Sequence, residues 1–386
     1  MTWQSLNLLT VAVAGTYVDV AGNRGGERAR LYSYWLKLQG TRPERRVKVA
    51  APLTDGASFH TDELAIDEGD RIETAEVGAD GVLRVSWRDG TVVYLSTEQV
   101  RRAVDNADAA DVQPILWNAE TAIPQFDYEP VIESGDEHHL FRFLRAFLQH
   151  GLAFLNNVPR RPDQVAIAAA RLSAVQASRV GQAFPIMTAG EPQFLGETCH
   201  GIPLHTGMVY KQAPPDLQMM HIIEPADTGD ENVFVDAFTV VKHLNPEDVR
   251  RLRDTVVLFV AESETFSHRG LHPVIAYDAA GRLHGLHYND HKVVFPVTTP
   301  NESYFAFRRL QQIAHRPENA QIIRLPRDSI VLLHNRRILQ GRRGSRGARH
   351  VIGCYPAEDD LKGRYRELAR RFLPKETGGG SSTSPI

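Results

Sequence analysis

Five short apolar runs in the second half of the chain constrain its fold most: Leu217 to Ile223, Val233 to Phe238, Val256 to Ala261, Ser329 to His334 and His350 to Tyr355. Each has the length and β-branched or aromatic content of a strand. Few helical patterns separate them, and such a set suits an antiparallel double-sheet jelly roll. A further strand pair lies nearer the amino terminus. Val82 to Trp87 alternates apolar and polar residues, Arg88-Asp89-Gly90 is a turn, and Thr91 to Leu95 is the returning strand. The expected fold class is therefore mainly β (α+β): a double-stranded β-helix preceded by a small β-rich N-terminal domain.

Helices are expected where the period changes. From Asp136 to His150 apolar residues fall at Leu140, Phe143, Leu144, Phe147 and Leu148, one face of a helix that Gly151 is suited to end. Leu152 to Leu155 then reads as a buried strand, and a second helix follows Pro162. Asn245-Pro246-Glu247-Asp248 starts another, with Asn245 as cap, Pro246 in the first turn and Leu244 able to staple against Val249. The expected boundaries are 1–113 for the N-terminal domain, 114–373 for the second domain, and a disordered Gly/Ser-rich tail over 374–386.

Charge narrows the partners. Lys and Arg number 44 against 47 Asp and Glu, so no global basic field favours nucleic acid, and a small-molecule partner is expected. No apolar stretch approaches membrane-spanning length, the first residues lack the basic start of a signal peptide, and a cytoplasmic protein with no membrane partner is expected. Cys199 and Cys354 make neither a metal spacing nor a disulfide framework and read as a pair of buried thiols.

From about Tyr32 to Leu368 the chain resembles the γ-butyrobetaine hydroxylase and trimethyllysine hydroxylase group of iron(II)/2-oxoglutarate oxygenases, and more distantly taurine dioxygenase. Several blocks carry the resemblance. Leu204-His205-Thr206-Gly207 is similar to H-T-D, and His334-Asn335-Arg336-Arg337-Ile338-Leu339-Gln340-Gly341-Arg342 to D-N-x-R-x-L-H-G-R. Gln218-Met219-Met220-His221 is similar to Q-L-L-H, Gly229-Asp230-Glu231-Asn232 to G-G-x-N, and Arg349-His350-Val351-Ile352-Gly353 to R-H-L-x-G. The resemblance implies that His205 is the one retained ligand of a facial metal triad. Gly207 then stands at the carboxylate position and Gln340 at the second histidine. A neutral amide is a weak ligand, so His205 with Gln340 should hold iron poorly. Radical halogenases of the wider family also lack the carboxylate, but they keep both histidines. The zinc site of the family's N-terminal domain is expected to be lost, because no cysteine follows Tyr34-Trp35-Leu36.

Among the other candidates, His334 is the imidazole that would rescue a metal site; a strand-end histidine bonded to backbone is the plainer reading. His200, five residues before His205, offers another imidazole but reads as a solvated loop histidine, and His221 reads as a satisfied core histidine. Arg349 is implied to hold the distal carboxylate of 2-oxoglutarate; the run Arg336, Arg337, Arg342, Arg343 and Arg346 reads either as a solvated loop with counter-charges nearby, the usual meaning, or as the mouth of an anion site. Asn289 is the expected polar substrate contact, and Tyr288, Tyr210 and Tyr355 are the aromatic candidates for an ammonium cage. His205, His334 and Gln340 are the expected catalytic group. Three functions follow in order. The first is an oxygenase-fold enzyme of altered, non-oxidative chemistry on a small polar metabolite bearing a carboxylate, without cofactor. The second is a working iron(II)/2-oxoglutarate enzyme with unusual ligands; the third is a non-catalytic binding protein. A homodimer is left open.

Overall fold

The computed structural model describes residues 8–13, 15–22, 28–39, 71–97, 99–100, 112–177, 181–188, 192, 195–263, 266–279 and 281–373. The tail from 374 and the Arg- and Pro-containing stretch after Gln39 lie outside these residues. The chain divides into two units, Met1–Ala109 and Ala110–Ile386.

In the first unit two three-stranded antiparallel sheets share one core. Leu8–Val13, Tyr17–Gly22 and Arg28–Tyr32 form one, and Ile72–Val77, Val82–Trp87 and Val92–Ser96 the other. The alternation in Val82–Trp87 puts Leu83, Val85 and Trp87 inside with Val93 and Leu95. Gly90 closes the hairpin at φ +84°, where a side chain would be strained. Buried Trp87 donates its indole N–H to Ser33 at 2.8 Å.

The second unit has two principal sheets. In the larger, Ala183–Met187, His350–Pro356, Leu217–Glu224, Ser329–His334, Leu152–Asn156 and Gln125–Asp127 lie in that order, and Val175–Gln176 pairs with His350–Pro356. All its pairings are antiparallel except the edge pair Gln125–Asp127 with Leu152–Asn156. The smaller sheet orders Ile202–His205, Ile338–Arg342, Asn232–Asp236 and Ala320–Ile323.

Strand parity assigns three layers. Leu217, Met219, Ile330, Leu332, Ile352 and Cys354 face the helices Glu137–His150, Gln164–Leu172 and Glu358–Phe372. Met220, Ile222, Val331, Leu333 and Val351 on the opposite face meet Phe234 and Ile338 of the smaller sheet. The outer face of that sheet, with Leu204, Val235 and Leu339, packs under Ala237–Lys242, Pro246–Asp254 and Asn301–Ala314.

Local signals account for the helix ends. Asp136 caps Glu137–His150 by accepting from His138 N–H at 2.8 Å, and Gly151 ends it at φ +69°. Asn245 caps Pro246–Asp254 by accepting from Asp248 N–H at 2.8 Å. Helices Asn301–Ala314 and Glu358–Phe372 add to the expected ones, and the fold is mixed α/β with extensive sheets. At two places the structure corrects the sequence reading. The expected strand Val233 to Phe238 ends at Asp236, which instead caps the next helix by accepting from Phe238 N–H at 3.0 Å. Cys354 is buried, whereas Cys199 is exposed.

Candidate functional site

Gln340 sits in the middle of Ile338–Arg342, with His205 as its register neighbour on one side and Phe234 on the other. Because Leu339 points outward into the helix-covered layer, Gln340 and Arg342 share the inward face between the sheets. Gln218, alternating with the outward Leu217 and Met219, arrives from the opposite sheet. The two glutamines meet there: Gln340 Nε2 donates to Gln218 Oε1 at 2.6 Å, with both residues buried.

Gly207 lies against this pair. A Cβ built on it would stand 2.9 Å from Asn335 Oδ1, 3.3 Å from Gln218 Oε1 and 3.4 Å from Gln340 Nε2. The Asn335 amide is fixed in that place. It accepts from Gly207 N–H at 2.6 Å and donates to the carbonyls of Gly207 at 2.9 Å and Pro215 at 2.7 Å. Replacing Gly207 by Ala is therefore expected to lower stability by about 1–3 kcal/mol in urea denaturation, the usual cost of overpacking. Gly363→Ala is the matched control. Its site is exposed within Glu358–Phe372 and open for at least 4 Å, so helix propensity should make that change stabilising by up to about 1 kcal/mol.

His205 brings an imidazole beside the glutamine pair as the register neighbour of Gln340. Its Nδ1 lies 2.9 Å from the Pro203 carbonyl, and because a carbonyl only accepts, Nδ1 carries the proton and Nε2 keeps its lone pair. Burial pushes its pKa down; the backbone carbonyls of Pro203 and Gln340 oppose this and the charges of His291 and Lys292 reinforce it. His205 is thus neutral at neutral pH, an acceptor held in one tautomer.

Two residues beyond Gln340 on the same face, Arg342 enters a second buried group. Arg342 Nη1 lies 3.4 Å and Arg349 Nε 3.1 Å from the same oxygen of Asp230, and all three side chains are almost wholly buried. Arg342 also donates to the carbonyls of Thr198 at 2.6 Å and His200 at 3.1 Å. Burial pulls the Arg349 pKa down to about 10; Asp230 opposes the fall and Arg342 adds to it.

The remaining candidates are placed elsewhere. Both ring nitrogens of His334 are committed: Nε2 to Glu358 at 2.9 Å, and Nδ1 as acceptor from Arg337 N–H at 3.2 Å. The structure thus does not bring His334 to His205 and Gln340. His221 is buried as expected, but neither ring nitrogen has a hydrogen-bond partner among the described residues, so it is not satisfied. His200 contributes its carbonyl, not its ring. Asn289 forms a bridge with His205, while its Oδ1 accepts from the N–H groups of His291 at 3.0 Å and Lys292 at 3.1 Å, which holds a turn. Tyr288 is fully buried in the outer apolar layer, stacked 5.7 Å from Phe307. Tyr210 stacks on His268, and Lys292 Nζ lies 5.5 Å from its ring centroid, so a cation of the chain already covers a face. Tyr355 stacks on Phe184 at 5.1 Å. The arginine run divides likewise: Arg337 is buried against Asp236, Arg336 pairs with Asp216, and Arg343 and Arg346 are exposed.

Gln218, Asp230 and Asn335 are the site residues that sequence reasoning missed, and Arg342, expected at the pocket mouth, is instead buried against Asp230. Signals for them existed. Alternation along Leu217–Glu224 turns Gln218 inward, and an Asp in Gly229-Asp230-Glu231-Asn232 departs from the G-G-x-N pattern.

A family model described as "Taurine catabolism dioxygenase TauD, TfdA family" matches residues 108–355. The chain is 27% identical over 320 residues to a gamma-butyrobetaine dioxygenase of Pseudomonas sp. (strain AK-1), covering 79% of this chain and 83% of that protein. It is 27% identical over 301 residues to the mitochondrial trimethyllysine dioxygenase of Homo sapiens, covering 73% and 71%. Among solved structures, AAD-2 in complex with Mn(II) and N-oxalylglycine matches with a TM-score of 0.50 at 12% identity, over 63% of this chain and 97% of that one, a likeness of fold alone.

Proposed function

The chain belongs to the taurine catabolism dioxygenase TauD/TfdA family, and from that premise we propose an oxygenase-fold enzyme that acts on a small polar, carboxylate-bearing metabolite without iron(II)/2-oxoglutarate hydroxylation. On this reading the facing sheets are a double-stranded β-helix, and Met1–Ala109 contains the N-terminal domain. The metabolite class is taken from relatives named for γ-butyrobetaine and trimethyllysine.

The observation that carries the reading is the Gln340–Gln218 hydrogen bond beside His205 and Gly207. Iron(II) in this family's chemistry needs imidazole and carboxylate donors on one face. Positions 205, 207 and 340 offer one imidazole, no side chain, and a neutral amide whose nitrogen is committed to Gln218. Among the described residues no group of three or more His, Cys, Asp or Glu converges to hold an ion. These residues do not fit the metal. What they support instead is hydrogen bonding and proton transfer at neutral His205, whose Nδ1–H···Pro203 bond leaves Nε2 unprotonated.

The test is anaerobic titration of the purified protein with iron(II) and 2-oxoglutarate. The expected result is substoichiometric iron and no charge-transfer band of the chelate. A stoichiometric metal with that band would sink the reading and make the chain a working dioxygenase with a new ligand set. The bonded glutamines and the paired Arg349 also favour a second reading, a binding protein without catalysis; a metabolite that binds and is recovered unchanged would select it.

A further inference from the structure

Arg342 and Arg349 bring two guanidinium groups into the space between the sheets against one carboxylate, Asp230. That carboxylate arrives at a backbone cost. Asp230 has φ +68°, the left-handed region that glycine enters freely and an L side chain seldom does. The fit is also incomplete. The Nε of Arg342 and the Nε of Arg349 are buried without a hydrogen-bond partner among the described residues, although Asp230 Oδ1 lies 3.1 Å from the latter. A carboxylate free to orient would take two parallel N–H bonds from one guanidinium. Asp230 shares a single oxygen between two of them instead. Its position is dictated by a short tether, the turn Gly229-Asp230, and not by ideal contact with either arginine.

We propose that Asp230 is a tethered counter-anion that holds the place of a ligand carboxylate at Arg349, and so excludes free dicarboxylates of the 2-oxoglutarate class from the space between the sheets. The inference deepens the functional reading above, on which it rests for the absence of a dicarboxylate co-substrate. It also assigns a consequence: removal of the Asp230 charge uncovers a latent dicarboxylate site. Arg342 keeps its bonds to the Thr198 and His200 carbonyls, but both guanidiniums lose the Asp230 counter-charge, and an added anion supplies it.

Isothermal titration with glutarate and with 2-oxoglutarate, both without metal, tests this on the full chain in three forms: native, Asp230→Gly and Asp230→Asn. Both variants are expected to bind the dicarboxylates at least about tenfold more tightly than the native protein, and their Tm to rise with glutarate while the native Tm stays fixed. The added substitution Arg349→Met in Asp230→Gly should abolish the gain. Equal binding by native protein and variants would overturn the proposal, as would a gain that survives Arg349→Met. A variant that unfolds when its counter-charge is lost remains informative: refolding on addition of glutarate supports the proposal, and failure to refold overturns it. Iron uptake by the native chain would defeat the functional reading yet leave these metal-free titrations unaffected.

Discussion

Arg337→Met is expected to cost about 3–5 kcal/mol of folding stability, measured as a drop in the urea midpoint at constant m-value. Arg337 and Asp236 are both buried and pair bidentately, Nε to Oδ1 at 3.0 Å and Nη2 to Oδ2 at 2.9 Å. The same guanidinium donates to the carbonyls of Gln149 at 2.7 Å and Ile115 at 2.6 Å. Methionine fills a similar volume but leaves the Asp236 carboxylate buried without the Arg337 cation, with Phe238 N–H, Trp117 N–H and the Thr239 hydroxyl as its remaining donors among the described residues. Lysine should not rescue it, since a point charge cannot match the fork geometry or reach both carbonyls. The pair Arg337→Met with Asp236→Leu should recover most of the loss, because replacing both charges by apolar groups removes the uncompensated burial. A loss below about 1 kcal/mol for Arg337→Met would mean that bound water already compensates Asp236. The consequence reaches the site. Arg337 is the residue before Ile338–Arg342, the strand that carries Gln340 and Arg342, and its carbonyl accepts from Ala237 N–H at 2.9 Å.

How much of this could be read in advance differs between strands and site. Helix caps and apolar periods are local signals, which is why Asp136, Gly151 and Asn245 act where the sequence places them. Phe266–Pro273 escaped notice. It pairs with Val256–Ser263 along its whole length, yet Ser267, Arg269 and Leu271 are exposed and the apolar pattern is thin. At the site, His334 looked attractive because it opens the ligand-bearing segment. Parity argues otherwise. Ile330 and Leu332 face the helices, so His334, two residues on, shares their face and meets Glu358 of a helix the sequence reading did not include. His221 follows Leu217 and Met219 onto that face by the same rule. Gln340 was legible as a substitution in a motif. The fate of its amide was not, because its partner Gln218 lies 122 residues away and only the approach of the two sheets joins them.

That same helix-side burial of His221 makes acid a strong destabiliser of this fold. Burial pushes the His221 pKa down to about 4; Asp328 opposes this and His350 adds to it. Burial also pushes His287 down to about 3, reinforced first by His272, whose ring stacks 4.2 Å away, and opposed by the Pro273 carbonyl. Above an unfolded-state value of about 6.5 both imidazoles are neutral in either state and contribute no pH dependence. Below it the unfolded chain takes up protons that the folded chain refuses, so stability falls as pH falls, by about 1.4 kcal/mol per pH unit for each group. By pH 4 each histidine accounts for roughly 3 kcal/mol, a large share of a total stability on the order of 5–15 kcal/mol. Glu358 acts in the same direction. Burial alone would raise its pKa, but His334 and Lys362 hold it well below the usual carboxylate range, so its stabilisation is lost as pH falls further. Cooperative unfolding on acidification through pH 6.5 to 4 is the expected outcome, followed by circular dichroism with urea titrations at each pH. Neither ring nitrogen of His221 has a partner to lose among the described residues, so His221→Leu should leave neutral-pH stability nearly unchanged or improved. It should also reduce the slope of stability against pH near pH 5 by about 1.4 kcal/mol per unit. An unchanged slope in that variant would mean that His221 already takes up its proton in the folded state, through a water or a shift of the neighbouring strands, and would move the acid sensitivity to the His272–His287 stack.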